Sequence, residues 1–334
     1  MKVLMINDFW EYSGGEKIFR TLARALLDMG HEVAELVGET IHMLDGVVEE
    51  FEPDVIHQHN FARFGPIALK YAREYPFVQT VHDYWPVCKS RSHYRQNDDR
   101  ICDSIDQGLC GPCPQILNRI PMPIESRKLF ENIPMVAVSK HVADVIREWY
   151  PHVTHIHNGL AIEPDVDEAT DECFVFCAAK PPDQLKGAHL FAAMAKGMPY
   201  RFVLAGGGEY PYVENTGLLS QRNLMGFYKR ASLVVMPSIW EEPNGLPLQE
   251  SMMYGKPMVV FDSGGMPEYA KNYVVPAQSV EDARELIDML MKNPEKRKMA
   301  GEENRAWVNK HFTARVMATK YVALYESLAG RAGA

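Results

Sequence analysis

The chain has 334 residues, 46% of them hydrophobic and 24% charged, so it is a globular protein long enough for two domains. Its 44 acidic residues outnumber 35 basic ones for a formal net charge of −9, which excludes a global electrostatic grip on nucleic acid or an anionic membrane. No apolar run reaches the roughly 18 residues of a bilayer span, and the opening MKVLMINDFW reads as a strand, not a secretory leader; the expected location is cytoplasmic, with contact to a membrane face as an added option.

In chain order, short apolar runs predict strands at Val3–Ile6, Glu32–Val37, Asp54–His57, Phe77–Val81, Met135–Val138 and Val153–Ile156. Between the first two, Glu16–Met29 carries Ile18, Phe19, Leu22, Ala25 and Leu26 at helical spacing and stops at Gly30. An acidic stretch with Pro164, Leu160–Glu172, reads as a linker. The plan then repeats, with strands at Phe174–Ala178, Phe202–Ala205, Leu233–Met236, Met258–Phe261 and Tyr273–Val275. Helical segments at Gly187–Lys196, Leu246–Met253 and Val280–Lys292 separate them. A last amphipathic pattern, Asn304–Leu328, carries Trp307, Phe312, Tyr321 and Tyr325. Strand–helix alternation in both halves predicts two doubly wound α/β domains facing a cleft, with ligands at the carboxyl ends of the strands.

The most informative stretch is Met236–Glu268. A buried strand ends in Pro237–Ser238, a loop carries Glu242, and a helix starting near Leu246 carries Glu250. Backbone N–H groups of Asn244, Gly245 and Leu246 at that helix start form an anion seat. Two carboxylates beside such a seat repel a phosphate but accept hydrogen bonds from neutral hydroxyls. A diphosphate with hydroxyls on both sides is a nucleotide sugar.

Glu242–x7–Glu250, the Gly255-Lys256-Pro257 turn and Gly264-Gly265-x-Pro267-Glu268 resemble the donor site of family-four retaining glycosyltransferases, which have the GT-B fold. The resemblance extends to Gly14–Gly15, Met29-Gly30-His31-Glu32-Val33, Val81-His82-Asp83 and Asn158-Gly159, and covers nearly the whole chain. It implies an acceptor domain over 1–160, a donor domain over 161–310 and a C-terminal helix over 311–334 that returns to the first domain. It implies that Glu250 holds the ribose hydroxyls and Glu242 the donor sugar. Asn244, Gly245 and Leu246 then face the sugar and diphosphate. Lys180 and Lys186 correspond to an Arg–Lys pair that stabilises the departing diphosphate. Lys180 replaces the usual Arg and offers a point charge without a fork. Gly206, the first of three glycines, resembles the turn under the nucleotide. The segment Glu209–Tyr228 is short for the family, so a helix and a strand that frame the base are expected to be trimmed.

In the first half, Gly14 and Gly15 lie between strand and helix, where the family places diphosphate and acceptor. They do not continue into a dinucleotide fingerprint. His82 ends a strand, and the resemblance assigns it to positioning the donor sugar and not to general-base work. The favoured mechanism is same-face attack, the leaving phosphate taking the acceptor proton. No Asp-x-Asp pair is found among the candidate donor residues, and the lysines supply the charge, so no divalent metal is expected for catalysis. Cys88, Cys102, Cys110 and Cys113 fall within 26 residues, with 13, 7 and 2 residues between them. Such a set suits a structural Zn or an iron–sulfur cluster that clips a long loop over 88–113; disulfides and free thiols are the competing readings. Cys173 and Cys177 read as core. Lys89, Arg91, His93 and Arg95 form a basic cluster suited to a phosphate-bearing acceptor, and Ile116–Phe130 suits a membrane-touching edge; a solvated loop explains both equally well.

The function expected is transfer of a sugar from a nucleoside diphosphate to a saccharide or lipid-linked acceptor, in cell-surface polysaccharide or glycoconjugate synthesis. The alternatives are a nucleotide-sugar 2-epimerase of GT-B fold and a non-catalytic metal- and nucleotide-binding module.

Overall fold

The structure, a computed structural model, describes residues 1–7, 14–61, 65–95, 100–102, 123–162, 169–180 and 184–332. Two compact units form: Met1–Ala161 with Thr313–Ala334, and Ile162–Phe312.

The first unit begins β1 (Lys2–Asn7), α1 (Gly14–Asp28), β2 (Glu32–Val37), α2 (Leu44–Phe51), β3 (Val55–Gln58) and β4 (Phe77–Val81). A short hairpin follows, β5 (Tyr94–Arg95) with β6 (Arg100–Ile101), then α3 (Pro123–Phe130), β7 (Met135–Ala137), α4 (Lys140–Arg147) and β8 (Val153–His155). Its sheet is parallel with order β2-β1-β3-β4-β7-β8. The run Val3–Ile6 is buried, as a strand covered on both faces requires. The predicted stripe of α1 is buried too. The helix starts earlier than expected, however: Gly14 and Gly15 belong to its first turn, not to a loop ahead of it.

The second unit runs β9 (Phe174–Ala179), α5 (Ala188–Ala195), β10 (Arg201–Gly206), β11 (Glu214–Asn215), α6 (Gln221–Arg230), β12 (Leu233–Met236), α7 (Leu246–Met253) and β13 (Met258–Phe261). It ends with α8 (Met266–Tyr269), β14 (Val274–Val275), α9 (Val280–Lys292) and α10 (Pro294–His311). Its parallel sheet has order β11-β10-β9-β12-β13-β14. Strand order reverses between β9 and β12, which is where open α/β sheets seat ligands. Of the helix and strand expected to be trimmed, the strand is kept as β11, and no helix lies between it and β10.

The pattern Asn304–Leu328 is two helices and not one. Thr313 breaks it by capping α11 (Ala314–Ala332), its Oγ1 accepting from Val316 N at 3.3 Å. Ala314 N also donates to Leu160 O at 2.8 Å, which holds the start of α11 on the first unit. There α11 packs against α1 and buries Tyr321 and Tyr325. The expected linker is also shorter than its sequence suggests. Thr170 N and Glu172 N donate to Lys229 O and Arg230 O, and Asp171 pairs with Arg297, so these residues belong to the second unit. Among the described residues no helix is long and apolar enough to cross a membrane.

Candidate functional site

In the second unit, the loops after β9 and β12 knit together beside the switch point. Ile239 N donates to Leu185 O at 3.0 Å. A Cβ on Gly187 would fall 1.8 Å from Pro237 O, so only glycine lets these two loops touch. This contact sets Lys186 opposite Glu242. Lys186 Nζ donates to Glu242 Oε2 at 2.5 Å, and Trp240 Nε1 and Ser238 Oγ donate to the same oxygen at 3.0 and 3.4 Å. The ammonium also lies 4.6 Å from the centroid of the Trp240 ring, a cation–π contact. Glu242 is buried. Its backbone is gripped as well: Gly265 N donates to Glu242 O at 2.7 Å, and Gly264, at φ +60, lies so close that a Cβ would meet Glu242 N and O at 2.5 Å.

Gly245, at φ 72, precedes α7, whose first residues are Leu246 and Pro247. Unpaired N–H groups at such a start favour an anion. Asn244 is buried beside it, its Oδ1 accepting from Tyr269 OH at 2.5 Å. Glu250 lies within α7, and its Oε1 accepts from Gln221 Nε2 at 3.1 Å. Lys180 is exposed directly after β9. Gly206 is the last residue of β10 and not part of the turn, which begins at Gly207.

In the first unit, the ends of β1, β3 and β4 gather a second polar group. Asn60 Nδ2 donates to Asn7 Oδ1 at 2.9 Å. His59 Nδ1 and His82 Nε2 are hydrogen-bonded at 2.9 Å. Gly15 in the first turn of α1 lies against both Asn60 and the His82 ring. Behind them His57 bonds Tyr325 OH through Nδ1 and Thr80 Oγ1 through Nε2, each at 2.6 Å. Thr80 Oγ1 meets Tyr321 OH at 2.9 Å. Burial pushes His57 down to about 3 and His82 down to about 4, and holds His59 well below the ordinary imidazole range.

Two members of the expected basic cluster, Arg91 and His93, are engaged within the protein. Arg91 grips Asp83 through Nε (3.0 Å) and Nη2, while Trp85 N donates to Asp83 Oδ1 at 2.9 Å. His93 is buried against Tyr84. Cys88 is buried, with Sγ 3.2 Å from Ser90 Oγ, and Cys102 is half-buried. Cys110 and Cys113, and residues 116–122 of the Ile116–Phe130 segment, lie outside the described residues, whereas Pro123–Phe130 forms α3. Among the described residues no three metal-ligating side chains cluster. Cys177 is buried as expected, whereas Cys173, at φ 57 ahead of β9, is exposed.

Sequence reasoning missed Trp240, Ser238, Gln221 and Tyr269, whose roles come from folding distant segments together. It also missed His59, although His57 and His59 alternate along a strand end much as His82 ends its neighbour.

Residues 36–163 match the family described as Glycosyltransferase Family 4, and residues 186–307 match Glycosyl transferases group 1. Two separate stretches of the chain, one in each unit, thus resemble glycosyltransferase domains. The chain is 32% identical over 114 residues to the uncharacterized glycosyltransferase YqgM of Bacillus subtilis, a match that spans 33% of this chain and 32% of that protein. It is 23% identical over 350 aligned positions to the uncharacterized glycosyltransferase MJ1607 of Methanocaldococcus jannaschii, covering 82% and 84% of the two chains. Its fold resembles sucrose-phosphate synthase from Thermosynechococcus elongatus at a TM-score of 0.74 and 17% identity, covering 98% and 99% of the chains. It also resembles Anabaena Alr3699/HepE in complex with UDP-glucose, at 0.71 and 15%, covering 98% and 100%. These likenesses establish the GT-B fold.

Proposed function

We propose that the protein is a retaining glycosyltransferase that moves a sugar from a nucleoside diphosphate to a saccharide or lipid-linked acceptor. One observation carries this reading: a buried carboxylate, Glu242, and an ammonium, Lys186, are held together beside the start of α7, with Glu250 further along the same helix. Glu250 accepts from the ribose hydroxyls, and Glu242 accepts from hydroxyls of the sugar. The α7 amides of Gly245 and Leu246, with that of Asn244, face the diphosphate. As the bond from the anomeric carbon to the diphosphate breaks, Lys186 and Lys180 stabilise the negative charge gained by the leaving oxygen. The acceptor oxygen bonds the same carbon on the same face, and its proton passes to the departing phosphate. His82 positions the sugar, and Gly14 and Gly15 with Gly206 allow close approach of the ligand. Alr3699/HepE was solved with UDP-glucose, which makes UDP-sugars the first donors to try.

A structural Zn or iron–sulfur cluster at Cys88, Cys102, Cys110 and Cys113 belongs to the same proposal, as does work at the cytoplasmic membrane face in surface polysaccharide synthesis. No divalent metal is assigned to the chemistry.

The experiment is incubation with UDP-, GDP-, ADP- and TDP-sugars, following release of nucleoside diphosphate. One donor is expected to turn over slowly in water and faster with an acceptor, giving a product of retained anomeric configuration by NMR. Interconversion of donor epimers would indicate the epimerase instead, and binding without turnover the non-catalytic module.

A further inference from the structure

We propose that His59 is a positioning residue that fixes the tautomer of His82, so that His82 offers an N–H at Nδ1 to a ligand oxygen. The inference rests on the assignment of His82 to the transferred sugar, and it names what that side chain presents.

The two imidazoles follow adjacent parallel strands, β3 and β4, and share one hydrogen bond between His59 Nδ1 and His82 Nε2 at 2.9 Å. Their rings stack at 5.2 Å. One proton lies between these nitrogens, and the question is which ring carries it. His59 is 0% exposed, with His57 at 4.2 Å and Phe19 at 5.1 Å packed on its ring. His57 has both its nitrogens committed to Tyr325 and Thr80, so it offers His59 nothing. His59 Nε2 is buried with no hydrogen-bond partner in the protein. A proton on Nε2 would therefore be a buried, orphaned N–H donor. A bare lone pair there is the less costly defect, because unpaired buried acceptors are tolerated more often than unpaired donors.

His59 thus carries its proton on Nδ1 and donates to His82 Nε2. Burial keeps both rings neutral, and a neutral imidazole holds a single proton. With Nε2 accepting, His82 bears that proton on Nδ1. Its one lone pair is already occupied, so it acts as a hydrogen-bond donor and not as a base. A sugar hydroxyl or phosphate oxygen, both acceptors, is the class of atom it fits.

Nitrogen-15 NMR of the uniformly labelled wild-type protein at pH 7.5 reads the tautomers directly. His82 and His59 are both expected to show a protonated Nδ1 and a bare Nε2; a protonated Nε2 on His82 would overturn the proposal. His59→Phe removes the donor, and is expected to leave His82 averaged between tautomers and to lower kcat/KM for the donor sugar about tenfold. His59→Asn, whose Nδ2 donates from about the same place, is expected to restore both. A His82 still locked in the Nδ1–H form in His59→Phe would overturn the role of His59. The wild-type spectrum requires neither a variant nor turnover. Absence of sugar transfer would therefore defeat the proposed function while leaving the tautomer decided.

Discussion

Lys186 and Glu242, 56 residues apart in sequence, meet at 2.5 Å and neutralise one another at the switch point of the second sheet. Trp240 serves both, donating to the carboxylate and facing the ammonium with its ring. Under the proposed function, a diphosphate would compete with Glu242 for the Lys186 ammonium.

Lys186→Ala leaves a buried carboxylate without its cation. Urea unfolding is expected to show a loss of about 1–3 kcal/mol, and turnover a fall of roughly 10²–10³-fold, as for loss of other transition-state charge stabilisers. Adding Glu242→Gln to Lys186→Ala removes the stranded charge, so stability should recover while turnover does not. Equal recovery of both would assign the pair to folding alone.

Two glycines set this geometry. Gly187→Ala and Gly264→Ala each place a Cβ against backbone, at 1.8 Å from Pro237 O and 2.5 Å from Glu242 N and O, at φ +72 and +60. Each should cost about 2–4 kcal/mol by denaturant titration. Gly197→Ala, which has positive φ but nothing within 4 Å of the added carbon, should cost only about 1 kcal/mol.

Three histidines of the first unit, His57, His59 and His82, contribute to the acid response. Their folded pKa values lie below the unfolded value, at about 3 for His57 and about 4 for His82, with His59 also lowered. The unfolded chain therefore binds more protons as pH falls below 6.5. The stability these groups contribute is complete above that pH and is lost on the way down to their folded values. Each such histidine adds a slope of about 1.4 kcal/mol per pH unit in that window. Urea titrations between pH 7.5 and 4.5 should show this fall, and His57→Gln should make it shallower by about one proton. A stability independent of pH over that range would contradict the buried neutral state.

The cysteine loop makes a separate prediction. Protein purified under reducing conditions should carry about one structural metal site per chain by elemental analysis, and Cys88→Ser should remove it. Neither zinc nor iron in the preparation would eliminate the clip.

Most strands were legible because parallel strands buried on both faces read as unbroken apolar runs, as in Val3–Ile6 and Leu233–Met236. Boundaries were less legible. Phe312 and Thr313 continue an amphipathic pattern, and the break is set by the Thr313 cap and by the bond from Ala314 N to Leu160 O, 154 residues away. The acidic look of Asp171 and Glu172 suggested a linker, yet Arg297 and the Lys229–Arg230 carbonyls recruit that segment into a domain. At the site, Glu242, Glu250 and Lys186 carried a spacing that could be read. Trp240 and Gln221 did not, because their partners are set by tertiary contact. Arg91 looked like a free cation because its partner Asp83, eight residues earlier, gave no sign of folding back on it.

The most direct measurement of the central claim is calorimetric titration of UDP, GDP, ADP and TDP into the wild-type protein and Glu250→Ala. One nucleotide is expected to bind the wild type, and the variant should lose about 1.5–3 kcal/mol of that binding through its missing ribose contacts. Equal affinity of both proteins for the nucleotide, or binding of none of the four, would contradict the account.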